Sequence, residues 1–200
     1  MKKSISILLL FLVCLSVEAQ KKNNKITDDV YATKEEKPSA EGQSQVTNNF
    51  LIEENKVIWQ KVFETPLSFR DVVEKVKESG AMTSMEEGDT KIIGDLKPLP
   101  ADFKGAGYTM MNTAIIVTSS DLLGYVLVEY KDNRYRVTIK NIQLSQKYDD
   151  PLSEMGQKTS IEVYAIKKGE FKNSFLNSIS KILDYTFTKT FSVKKSNDNW

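Results

Sequence analysis

Tyr125-Val126-Leu127-Val128-Glu129-Tyr130-Lys131-Asp132-Asn133-Arg134-Tyr135-Arg136-Val137-Thr138-Ile139-Lys140 consists of two alternating stretches that meet at a polar pair. A two-residue loop at Asp132-Asn133 predicts a tight β-hairpin and fixes its register. Tyr130 then faces Tyr135, Val128 faces Val137 and Val126 faces Ile139, which makes one side wholly apolar or aromatic. On the other side Lys131 faces Arg134, Glu129 faces Arg136, Leu127 faces Thr138 and Tyr125 faces Lys140. A slip of one residue would drive Arg136 and Lys140 into the core. An opposite-charge rung such as Glu129–Arg136 contributes at most about 1 kcal/mol. The agreement of every rung on one register is the stronger argument.

On the N-terminal side, Ser119-Ser120-Asp121 punctuates the chain before a strand over Leu122–Lys131. Tyr108–Thr118, rich in Tyr, Thr, Ile and Val, predicts a further strand, and Thr90–Leu96 another. Lys97–Gly107 carries Pro98, Pro100, Gly105 and Gly107 and reads as a loop. Lys56–Glu64 (KVIWQKVFE) is the first strand. A helix follows it, with Ser68 as N-cap, Asp71 at the reciprocal capping position, Leu67 stapled to Val72, and Gly80 as the stop. Phe69, Val72, Val73 and Val76 form its apolar stripe. On the C-terminal side, Asp149-Asp150-Pro151 ends the sheet region. Ile161–Ile166 reads either as an edge strand or as packed coil. From Glu170 to Thr188, Phe171, Phe175, Ile179, Ile182, Leu183 and Phe187 recur at spacings of three and four, which predicts an amphipathic closing helix. The fold class expected is α+β, with an antiparallel sheet of about five strands and two helices on one face, in the order β-α-β-β-β-β-α.

The N-terminus has a basic start at Lys2-Lys3, a short apolar run over Ile5–Val13, and Val17-Glu18-Ala19 before Gln20. This is the layout of an export signal cleaved after Ala19, and the run is too short to span a bilayer. A lipid attachment at Cys14 would need a small residue before it, and Val13 is not small. The organisation expected is a signal peptide over 1–19, a flexible polar tether over 20–48, an α+β domain over 49–191 and a polar tail over 192–200. The tether is rich in Lys, Asn, Glu, Ser and Gln and has too little apolar surface to offset ordering. The expected location is the periplasm or the outer side of the envelope.

Cleavage removes the only cysteine, and the chain has no histidine. Imidazole bases, thiol nucleophiles, disulfides and His/Cys metal sites are then excluded. Basic residues fall from 28 to 26 and acidic ones from 27 to 26, so the processed chain is formally neutral. Nucleic-acid binding, which rests on a basic surface, is not expected. No second apolar run reaches membrane-spanning length, so no transmembrane segment is expected in the processed chain.

Strand, helix, four further strands and a closing helix is the element order of half a TATA-binding-protein-like (TBP-like) fold. Lys131-Asp132-Asn133-Arg134-Tyr135-Arg136 also resembles the K-D-G-R-Y-R signature of a family of exported Bacteroidetes-type domains of unknown function with that fold. Asn133 stands at the family's usual glycine, and Asn tolerates the left-handed backbone required there. The first helix lacks the family's Trp near its end, where Ser79-Gly80-Ala81-Met82 stands instead. The resemblance implies a fold and a compartment. It transfers no catalytic residues and does not imply DNA binding.

No serine lies in a nucleophile elbow, and Gly105-Ala106-Gly107 lacks the residues of a phosphate loop. Glu86, Glu87 and Asp89 could offer oxygens to Ca²⁺, but they lack the alternating spacing of a calcium loop and read as a solvated turn. No catalytic, cofactor or metal residues are therefore assigned. The candidate binding face is Tyr125, Leu127, Glu129, Arg136, Thr138 and Lys140, weighed against an ordinary solvated sheet face. The function expected is a non-catalytic module binding an envelope protein, peptide or glycan. The rival is a carboxylate-dependent polysaccharide hydrolase, which needs two carboxyls roughly 5–10 Å apart, one of them with a raised pKa. A third reading is a structural subunit that pairs through an exposed sheet edge.

Overall fold

A computed structural model of the chain describes residues 47–149 and 153–193. The expected signal peptide, nearly all of the tether, and the tail from 194 lie outside the described residues, as do Asp150 and Pro151. In chain order the elements are strands β1 (Phe50–Glu53) and β2 (Lys56–Glu64), helix α1 (Phe69–Ser79), and strands β3 (Met82–Glu87), β4 (Lys91–Leu96) and β5 (Leu99–Pro100). A 3-10 turn (Met110–Asn112) and the short helix α2 (Ile115–Thr118) lead into the long strands β6 (Ser120–Lys131) and β7 (Arg134–Gln146). Strand β8 (Lys158–Ser160), the helical turn α3 (Glu162–Ala165) and a small hairpin, β9 (Ile166–Lys167) with β10 (Glu170–Phe171), follow. A π-helical turn (Phe175–Ile179) then opens directly into α4 (Ser180–Phe191).

The central hairpin has the register its alternation predicts: Tyr125↔Lys140, Val126↔Ile139, Leu127↔Thr138, Val128↔Val137, Glu129↔Arg136, Tyr130↔Tyr135 and Lys131↔Arg134. Asp132 (φ 50°) and Asn133 (φ 58°) are both left-handed, as a two-residue turn matched to strand twist requires. The sheet order is β1-β2-β7-β6-β4-β3, with β5 beside β6 and β8 beside β7, antiparallel in every pairing. The class is α+β as expected, but the sheet has eight strands rather than about five. Strand β1 adds an edge through a left-handed Glu54-Asn55 turn, and β5 and β8 are two- and three-residue additions.

Helix α1 forms as its caps dictate. The Ser68 hydroxyl and the Asp71 carboxylate satisfy each other's backbone N–H groups, and Gly80 closes the helix at φ 61°. Four expectations are corrected. Tyr108–Thr118 is not a strand: Asn112 Oδ1 accepts from Thr109 N–H at 2.7 Å and folds the segment into a turn, after which α2 begins. The strand missing from that position is supplied by Met82–Glu87, so Glu86 and Glu87 lie on an edge strand rather than in a loop. Ile161–Ile166 is neither an edge strand nor coil over its length, because Glu162–Ala165 makes a helical turn. The closing helix begins only after Lys172, since Glu170–Phe171 pairs back onto β9, and it runs on to Phe191.

Both long helices cover one sheet face. Val72, Val73 and Val76 from α1 and Ile182, Leu183, Phe187 and Phe191 from α4 join Trp59, Val126, Val128, Tyr135, Val137 and Ile139 in one core. Trp59 tilts against Phe187 and Phe50 meets Phe175 edge-on, each with centroids 5.3 Å apart. Burying each such side chain stabilises the fold by about 1.5–3 kcal/mol. The core holds no disulfide, so packing alone sustains it.

Candidate functional site

Alternation along β6 and β7 sends their odd and even positions to opposite sides. Since Val126, Val128, Val137 and Ile139 face the helices, Tyr125, Leu127, Glu129, Arg136, Thr138 and Lys140 share the other face. The structure brings all six together there. The flanking strands complete the face with residues that the hairpin alone could not indicate. Pairing of β2 with β7 sets Gln60 beside Thr138 and Val62 beside Arg136. Pairing of β4 with β6 sets Lys91 beside Glu129, Ile93 beside Leu127 and Asp95 beside Tyr125. The alternation in KVIWQKVFE signals that Gln60 and Val62 share a face, but not which strand lies next to them.

The six residues do not contribute alike. Thr138 is only 3% exposed and accepts a hydrogen bond from Gln60 Nε2 at 3.1 Å, so it holds the face together from beneath. Arg136 donates from both Nε (3.0 Å) and Nη2 (2.7 Å) to Glu129 Oε2. Tyr125 and Lys140 are exposed, and Val62 presents an open apolar spot at 53% exposure. At the hairpin end the face deepens into a groove of about 530 Å³ whose lining includes Val62, Lys91, Glu129, Lys131, Arg134 and Arg136. Four cations thus line the groove, of which Arg136 engages Glu129, Lys131 lies 4.0 Å from Asp132, and Arg134 stands opposite Glu64.

Elsewhere the carboxylates that are shielded from solvent are tied to partners. Asp102 meets Lys189 Nζ at 2.7 Å and Asp121 meets Lys147 Nζ at 3.1 Å. Asp184 accepts from Trp59 and Asn49, and Glu162 accepts from the Ser160 hydroxyl and the Val57 N–H. The Lys189 ammonium, with the Gly105 N–H, holds the Asp102 carboxyl below the usual carboxylate range. Burial pushes Glu162 up, but hydrogen bonds from Ser160, Val57 and its own N–H outweigh it and leave the group lowered. Asp71 is lowered by its bonds from Ser68. Among the described residues, every carboxyl that departs clearly from its ordinary value departs downward. None of them is poised as a general acid.

Among the described residues no three His, Cys, Asp or Glu side chains gather to hold a metal. Glu86 and Glu87 point to opposite sides of β3, and Glu87 is bound by Lys77 at 2.9 Å. No helix among them is long and apolar enough to cross a membrane.

The fold is thus an α+β domain with two helices on one sheet face and a basic groove on the other. Two solved structures are similar to it. A TBP-like protein from Parabacteroides distasonis shares 12% identity over 70% of this chain and 93% of that one, with a TM-score of 0.46. A DUF4468 family protein from Bacteroides ovatus shares 12% identity over 72% of this chain and 91% of that one, with a TM-score of 0.39. At this distance they indicate neither ligand nor activity. No family model matches the chain, and no curated protein matches it.

Proposed function

We propose that the chain is an exported, non-catalytic binding domain of the cell envelope whose sheet face holds an acidic segment of a partner protein. The observation that carries this reading is the groove at the hairpin end. There Lys91, Lys131, Arg134 and Arg136 outnumber the acids beside them, Glu129, Asp132 and Glu64, next to the exposed apolar Val62. Arginine forks suit carboxylates, and the groove crosses four strands, a shape that fits an extended chain. The N-terminal basic start, apolar run and Val17-Glu18-Ala19 support export. No observation favours the hydrolase alternative, which would need a carboxyl with a raised pKa.

The test is fluorescence anisotropy with a labelled oligoglutamate peptide, an oligolysine control and a labelled anionic oligosaccharide. Oligoglutamate binding that weakens about tenfold in R134E and again in K91E supports the reading. Binding of the oligosaccharide alone, or peptide binding indifferent to both substitutions, overturns it.

A further inference from the structure

The chain has six methionines, and the five among the described residues fall into two kinds. Met82 is buried, and Met85 packs against the same core. Met111 is 99% exposed, Met110 70% and Met155 67%, and none of the three belongs to the core or packs against it. A thioether is a soft, flexible group that fills irregular gaps in a core. At these three positions it fills none, so packing does not account for methionine there.

The turn that carries Met110 and Met111 is held together without their side chains. Thr109 N–H and Thr109 Oγ1 donate to Asn112 Oδ1 at 2.7 and 3.1 Å. Asn112 N–H donates to Thr109 O at 3.2 Å, and Thr113 Oγ1 donates to the same oxygen at 2.7 Å. With the turn closed in this way on both sides of them, the two thioethers stand in water on a frame that does not depend on their polarity.

That arrangement suits one covalent chemistry. A thioether sulfur attacks a peroxide oxygen: an S–O bond forms, the O–O bond breaks, the sulfur gives up two electrons, and the other peroxide oxygen leaves as water after proton transfer. The sulfoxide formed is polar where the thioether was apolar. An exposed sulfur meets the oxidant directly, whereas a buried one such as Met82 reacts only when the structure opens locally. The other readily oxidised groups are withdrawn. The Trp59 indole is fully buried, and removal of the expected export signal would take Cys14, the one thiol, with it.

We propose that Met110 and Met111 form a reversible oxidation site. A peroxide converts them to sulfoxides, and methionine sulfoxide reductases restore them, the sulfoxide oxygen leaving as water while two thiols become a disulfide. The fold stays as it is, and the apex of the turn switches between apolar and polar.

The test treats the full chain carrying C14S with hydrogen peroxide and follows each methionine by peptide mass spectrometry. Met110 and Met111 should oxidise at about the rate of N-acetylmethionine amide, and Met82 about tenfold more slowly. The urea midpoint should stay unchanged while the oxidised chain elutes earlier from a phenyl column. Both reductases with dithiothreitol should restore the original elution. M110L/M111L should keep the midpoint and the late elution but lose most of the response to peroxide. Three results overturn the proposal. One is Met82 reacting as fast as Met111. Another is a lower urea midpoint when only Met110 and Met111 are oxidised. The third is an elution shift of full size in M110L/M111L.

Discussion

Trp59 Nε1–H donates to Asp184 Oδ1 at 2.9 Å, and the same oxygen accepts from Asn49 Nδ2 at 2.7 Å. One carboxylate on α4 therefore anchors the core indole of β2 and the residue just before β1. Asp184→Ala leaves two shielded donors unpaired and should cost about 1–3 kcal/mol. Asp184→Asn keeps an acceptor oxygen and should cost less than half of that. Urea midpoints of the two variants check the ordering; equal losses would show that charge, not acceptance, matters.

Tyr135 ties the sheet to the end of α4: its hydroxyl donates to Phe191 O at 2.7 Å and accepts from Val193 N–H at 3.0 Å. Burial pushes its pKa up, against the opposing pull of the Val193 N–H. The folded pKa thus exceeds the unfolded value of about 10. The stability this group contributes is complete below that value and is lost as pH rises from there through the folded pKa. Tyr135→Phe should destabilise at neutral pH by about 1–2 kcal/mol and flatten the decline above pH 10. Thermal midpoints across pH 7–11 would show both effects.

Gly94 lies where β4 passes the bulge of β3, next to Ser84 at φ 51°. A Cβ there would stand 2.7 Å from Thr83 O and 3.3 Å from Met85 Cα, and backbone atoms cannot step aside as a side-chain tip can. Gly94→Ala should therefore cost about 1–3 kcal/mol. Hydrogen exchange should localise the loss to β3 and β4.

Glu129 occupies Arg136 and so competes with any incoming carboxylate. Both partners are substantially exposed, at 37% and 46% of their side chains, so the pair adds little to stability. Glu129→Gln should leave the melting temperature nearly unchanged and tighten oligoglutamate binding severalfold. Weaker binding would place Glu129 in the recognition itself.

Legibility in the sequence follows how many constraints act on each segment. The β6–β7 hairpin was readable because turn residues, alternation and charge pairing all demand one register. Helix α1 was readable because Ser68, Asp71 and Gly80 mark its ends chemically. Met82–Glu87 was not, since its alternation is broken by the bulge at Ser84 and its buried side rests on Met82. Tyr108–Thr118 misled for the opposite reason: its β-rich composition yields to the short-range bonds among Thr109, Asn112 and Thr113. Half of the candidate face could be read because one hairpin carries it. The groove could not, because Val62 and Lys91 reach it through pairings between strands far apart in sequence.

The length of β6, which carries one register shift between Leu123 and Tyr125, also has a metric consequence. Its 12 residues separate the Met110–Ile115 segment from the Asp132-Asn133 turn, and at about 3.3 Å per residue the strand spans about 40 Å. The groove at the hairpin end and the exposed Met110–Ile115 segment thus lie a strand length apart, so a substitution in one is not expected to disturb a ligand held at the other.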